Sequence, residues 1–100
     1  MPAITRVGDL STGHEGYHPS AVTIPNNSTV YANGILIAVK DGSFATHTKP
    51  NSPPHVEGAD RIITGGSNTV FAESKRVTRI GDDIADGDAS AQGSPNVFAG

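Results

Sequence analysis

Apolar residues along this chain fall in short runs separated by turn-forming residues, with no stretch at helical intervals. Examples are Ile4-Thr5-Arg6-Val7, Val30-Tyr31-Ala32, Ile35-Leu36-Ile37-Ala38-Val39, Val70-Phe71-Ala72, Val77-Thr78-Arg79-Ile80 and Val97-Phe98-Ala99. Runs this short, bounded by Gly, Asn, Asp and Ser, predict short strands. Two units recur. Ile4-Thr5-Arg6-Val7-Gly8-Asp9 returns in type as Val77-Thr78-Arg79-Ile80-Gly81-Asp82, with a degenerate copy at Ile37-Ala38-Val39-Lys40-Asp41-Gly42. A Val-aromatic-Ala unit after a turn appears three times, at residues 28–34, 68–72 and 94–100. Such self-similarity sets the architecture before any single element does. Asn33-Gly34, lying between apolar runs, is a strong hairpin signal because both turn positions need positive φ. The expectation is an all-β fold of short hairpins with pseudo-threefold repeats.

Between the hairpins lie segments rich in chain breakers, at residues 11–25, 42–58 and 83–95. Loops of this length in a compact domain are usually functional. The whole chain, residues 1–100, reads as a single domain, with 35% hydrophobic residues, 12 Gly and 7 Pro. Leu occurs only at positions 10 and 36. That scarcity of long helix formers excludes an α-bundle. A core this thin needs a staple. The absence of cysteine removes disulfides and thiolates, leaving a metal or a partner. Seven Lys+Arg in a net charge of −3 argue against nucleic acid. The longest apolar run, residues 35–39, is too short to cross a bilayer. Met1-Pro2-Ala3 leads straight into a strand, so no signal peptide is expected.

The four histidines, His14, His18, His47 and His55, all fall in the first two breaker-rich segments. His14 and His18 have the i, i+4 spacing that on a helix would serve zinc, but Gly13, Gly16 and Pro19 place them on a loop. Pro50, Pro53 and Pro54 stiffen the stretch between His47 and His55. Neutral imidazoles from separate loops, closed by a carboxylate, suit a tetrahedral Zn²⁺ or a related metal. The alternative is that these are ordinary solvated loop histidines, and spacing alone leaves both readings open. Asp82, Asp83, Asp86 and Asp88 superficially resemble a calcium loop but lack its closing Glu. Ile63-Thr64-Gly65-Gly66-Ser67 lacks the Lys of a phosphate loop and reads as a turn.

Taken in order, the residues resemble the PAAR-repeat proteins, which tip the spikes of type VI secretion systems and contractile phage tails. The matching stretches are Thr5-Arg6-Val7-Gly8-Asp9, Thr12-Gly13-His14, Ser28 to Gly34, the His47…Pro53-Pro54-His55 loop, Gly66 to Phe71, Arg79 to Ile84, and Gly93 to Gly100. The resemblance implies a small cone whose long loops gather at a metal-pinned apex. It makes His14, His47 and His55 the metal ligands. The family's cysteine position is Asp86 here, so the fourth ligand is Asp86 or His18. Residues 35–40 also lack the Ala-Arg ending that names the family.

The implied role is structural and non-enzymatic. One chain would cap a trimeric β-helical spike, sharpen it, and touch the target membrane transiently during piercing. One zinc, or another transition metal, would be bound per chain. The expected location is the tail tip of a phage virion, or the bacterial cytoplasm before secretion. Three related units in one chain can meet a threefold partner without symmetry mismatch. Two other readings are a metal-free adaptor carrying effector cargo, and a small metallohydrolase using Glu15 or Glu57 as general base. A chain this short leaves little room for the hydrolase's substrate pocket.

Overall fold

The computed structural model describes all 100 residues. It contains no helix and six short strands: β1 (Val22–Ile24), β2 (Tyr31–Ala32), β3 (Ile35–Leu36), β4 (Ser43–Phe44), β5 (Phe71–Ala72) and β6 (Lys75–Arg76). Each Val-aromatic-Ala repeat begins a hairpin. In β2–β3, Tyr31 faces Leu36 and Ala32 faces Ile35, across a turn with Asn33 at φ 57° and Gly34 at φ 75°. The β5–β6 hairpin has the same register, yet its turn holds Glu73 at φ 51° and Ser74 at φ 64°. The third is assembled from the two ends of the chain. Phe98 bridges Ala3, the Ile4 amide donates to the Val97 carbonyl at 3.0 Å, and Ala99 donates to Pro2 at 3.0 Å.

The pseudo-threefold relation extends to single hydrogen bonds. Thr5 N–H donates to Thr78, Thr78 to Ala38, and Ala38 back to Thr5, at 3.0, 3.0 and 2.9 Å. This closed triangle pairs an N–H and a C=O of each of these three buried residues, backbone groups that two-residue strands would otherwise orphan. Each unit then turns in the same way: Asp9, Gly42 and Asp82 amides donate to Arg6, Val39 and Arg79 carbonyls, all at 3.0 Å. Gly8, Asp41 and Gly81 supply the positive φ those turns require. The degenerate copy at residues 37–42 is therefore structurally equivalent to the other two. It lacks only the Arg–Asp pair that closes the others, Arg6–Asp9 at 3.1 Å and Arg79–Asp82 at 3.0 Å.

Hairpins are also joined head to tail. Asn33 reaches Asn96 and Ser94, Glu73 reaches Ser28 and Thr29, and the Gly100 carbonyl accepts from Ser67 and Thr69. Ala32, Ala72 and Ala99 turn inward with Ile4, Ile37, Val39 and Val77 to form one core. Tyr31, Phe71 and Phe98 remain exposed, one per unit.

A second core of Val22, Ala38, Phe44, Ile63 and Ile84 lies on the first, since Ala38 is flanked in sequence by Ile37 and Val39. The breaker-rich segments are more ordered than their composition predicts. Residues 11–25 and 42–58 contribute β1 and β4, which pair antiparallel with Val22 facing Phe44 and an irregular register at Ile24. Their Val and Phe side chains bury fully in the second core, and that tertiary burial overrides the Gly and Pro signals around them. Above Phe44 sits the Arg61 guanidinium, 5.6 Å from the ring centre. The body measures 39 × 23 × 21 Å, long on one axis and nearly equal on the other two.

Candidate metal centre

Three loops converge beyond Arg61. His14 lies at one end of a tight turn in which His14 and Tyr17 exchange backbone hydrogen bonds at 3.3 and 2.7 Å, with Glu15 and Gly16 at positive φ. A side chain at Gly16 would crowd the Lys49 methylenes at 3.3 Å, so glycine allows that approach as well as the turn. His47 and His55 face each other across the mouth of the proline-rich loop and exchange both backbone bonds at 3.1 Å. Asp86 sits in a turn closed by the Gly87 amide donating to Ile84 at 3.1 Å, with Gly87 at φ 93°.

The four side chains meet around one point. Asp86 Oδ2 lies 2.9 Å from His47 Nε2, 3.1 Å from His55 Nδ1 and 3.6 Å from His14 Nε2. His47 Nε2 and His55 Nδ1 are 3.0 Å apart, and all four donor atoms fall within 4.8 Å of one another. The imidazole centroids form a triangle with every side 5.1 Å. His18 does not join them. Its side chain is exposed, and only its backbone carbonyl takes part, accepting from His47 Nδ1 at 2.9 Å.

That last bond decides the chemistry of the cluster. With its proton on Nδ1, a neutral His47 presents a lone pair at Nε2, aimed at a carboxylate oxygen and at His55 Nδ1. Burial, followed by the charge of Arg61, lowers the His47 pKa, outweighing the raising effects of the His18 carbonyl and Asp86. Protonation is therefore a poor way to relieve the convergence of acceptors. His14 Nε2 is buried with no hydrogen-bond partner. Convergent lone pairs, one of them orphaned, are what a cation resolves. The separations from Asp86 fit as well, within a donor set whose atoms spread to 4.8 Å. Four ligands about 2.0–2.1 Å from a tetrahedral Zn²⁺ stand about 3.3–3.4 Å apart, and the three Asp86 separations span 2.9–3.6 Å. The residues thus fit a four-coordinate ion held by His14 Nε2, His47 Nε2, His55 Nδ1 and Asp86 Oδ2.

Beneath the cluster is a network that sequence reading missed. Arg61 is fully buried, and its donors all find acceptors. Nε donates to the Ala45 carbonyl, Nη1 to Asp86 and Asp88, and Nη2 to the Ser11 and Ser20 hydroxyls. Burial works to raise the Asp86 pKa, but Arg61, the Asp88 amide and His47 outweigh it and hold the carboxyl below its ordinary range. Asp88 is brought to about 2 against its own burial, by the Thr12 and Ser11 hydroxyls, the Ala89 amide and Arg61. Asp86 and Asp88 thus belong to this network, whereas Asp82 pairs with Arg79, so the four aspartates form no calcium loop. The one sequence sign of Arg61 is a charged residue directly before the apolar pair Ile62-Ile63. Tyr17 is a second residue of the site that carries no sequence sign. Its ring lies 3.9 Å from that of His55, 4.9 Å from His47 and 5.1 Å from His14, and its hydroxyl donates to the Pro53 carbonyl at 2.8 Å.

Compared with protein families, the chain matches the model of the PAAR motif over residues 12–91. Compared with curated proteins, it has no significant match.

Proposed function

The chain belongs to the PAAR-motif family, a family of spike tips in contractile injection systems, and on that premise we propose that one copy caps the blunt end of a trimeric β-helical spike. The observation that carries this reading is the closed triangle of backbone bonds among Thr5, Ala38 and Thr78. It gives a single chain three near-equivalent units, each with one exposed aromatic, Tyr31, Phe71 or Phe98. A monomer built this way can meet a threefold partner with one set of contacts made three times. Apolar rings left in water on an isolated chain gain burial on such a partner.

The far end would be the piercing point. Near a tapering apex there is little interior to fill, so hydrophobic burial contributes little there and coordination can take its place. Zn²⁺, bound by His14, His47, His55 and Asp86, would supply four bonds that tie three loops together. The cluster's role in this reading is mechanical: the loops stay fixed while sheath contraction drives the tip through an envelope. Native mass spectrometry of the chain co-expressed with a trimeric spike protein tests the proposal. Three spike chains with one cap are expected, and a three-to-three complex would overturn it.

A further inference from the structure

Resting on the reading of the His/Asp cluster as a metal centre, we propose that Arg61 is a positioning residue that makes Asp86 a one-oxygen ligand. A carboxylate differs from an imidazole in having two donor oxygens on one rotor. Left free, it can swing to chelate through both or turn away. Room to do so exists, because a cavity of about 280 Å³ lined by His55, Ala59, Asp60, Ala85 and Asp86 opens beside it. Asp86 is nevertheless locked. Arg61 Nη1 lies across both oxygens, 3.1 Å from Oδ1 and 2.9 Å from Oδ2, and the Asp88 amide donates to Oδ1 alone at 3.2 Å, which together hold the carboxylate with Oδ2 turned to all three imidazoles.

Arg61 can act as this clamp because it is itself immobile. Its remaining donors go to Ala45, Asp88, Ser11 and Ser20 at 2.8–3.1 Å, and its face lies over Phe44. A planar fork with five donors can meet all these acceptors at once, and a lysine ammonium cannot. The positive charge also offsets the cost of burying Asp86 and Asp88 side by side. Arg61 therefore connects the second apolar core to the metal site, and the orientation of the oxygen ligand is set by that core.

The test uses the full-length chain and its Arg61→Lys and Arg61→Met variants, loaded with Zn²⁺ or Co²⁺ alone. Affinity is read by chelator competition, carboxylate binding mode by X-ray absorption at the zinc edge, and coordination number by the visible spectrum of the cobalt form. Amide exchange at Thr5, Ala38 and Thr78 checks that the hairpin ring is intact. Arg61→Lys is expected to weaken metal binding by about 10–100-fold, and to move the cobalt spectrum from four-coordinate towards five-coordinate. If Arg61→Met does not fold, the lysine variant decides alone. Unchanged affinity and an unchanged cobalt spectrum in a folded lysine variant would overturn the proposal. Failure of the unaltered chain to take up either ion would overturn the metal reading itself, and this proposal with it.

Discussion

Replacing His47 by alanine should loosen the loops around the His/Asp cluster while sparing the Thr5–Ala38–Thr78 triangle, and the effect should depend on metal. His47 is the most buried of the three histidines, and it makes the 2.9 Å bond to the His18 carbonyl as well as facing the cluster. A structural zinc contributes about 10–16 kcal/mol to folding through four ligands, so one ligand accounts for about 3–4 kcal/mol. The lost hydrogen bond adds about 1 kcal/mol, and the space left by a small buried ring adds about 1 kcal/mol more. With metal the substitution should therefore cost about 5 kcal/mol locally, falling to about 2 kcal/mol under chelator. At 1.4 kcal/mol per factor of ten, the difference is about a hundredfold in exchange rate. Hydrogen exchange can read it residue by residue. The His55 amide, which donates to the His47 carbonyl, reports on the cluster; the Thr5, Ala38 and Thr78 amides report on the triangle. Equal effects with and without chelator, or equal acceleration at cluster and triangle, would refute the reasoning and leave His47 an ordinary buried residue.

Tyr17→Leu keeps an apolar side chain but removes the ring stacked on the imidazoles and the hydroxyl bond to Pro53; loss of metal to a chelator, followed by elemental analysis over time, should speed up about tenfold. Ser74→Gly relieves a side chain held at φ 64° in the β5–β6 turn and should stabilise the protein by about 0.5–1 kcal/mol, seen as a rise of a few degrees in melting temperature. In the metal-free chain, acid should destabilise in two stages whose sign follows from the shifts. His47 is held below its ordinary 6.5, so its contribution is complete above that pH and declines as the unfolded chain takes up the proton first. Asp88, lowered from 3.8 to about 2, contributes fully above 3.8 and loses its contribution as pH falls towards 2; denaturant titrations at stepped pH should show midpoints dropping in both windows.

Much of this architecture was legible in the sequence because it is written in local patterns. The Val-aromatic-Ala repeats, the Asn33-Gly34 turn and the paired Arg-x-Gly-Asp segments each need only a few adjacent residues to be recognised. The Glu73-Ser74 turn was not readable in the same way, since neither residue favours positive φ; the hairpin around it imposes the conformation. The closing hairpin joins Ala3 to Phe98, a pairing no local window contains. The same is true of β1 and β4, whose burial came from each other and not from their own breaker-rich neighbours. At the site, the histidines stood out by residue type. His18 entered only as the alternative to Asp86 at the family's cysteine position, and its i, i+4 spacing from His14 brings no ring to the cluster, because this turn is a loop that holds Glu15 and Gly16 at positive φ. Arg61 was hidden because a buried guanidinium is defined by its acceptors, and Ser11, Ser20, Ala45, Asp86 and Asp88 come from three separate segments.

Elemental analysis of the chain purified without chelator bears most directly on whether the three imidazoles and the carboxylate of the cluster hold an ion. One zinc, or one other transition metal, per chain is the predicted result, falling well below one in the His14→Ala, His47→Ala, His55→Ala and Asp86→Ala variants and unchanged in His18→Ala. A stoichiometry near zero in the unaltered protein, or full occupancy that persists without Asp86, would contradict it.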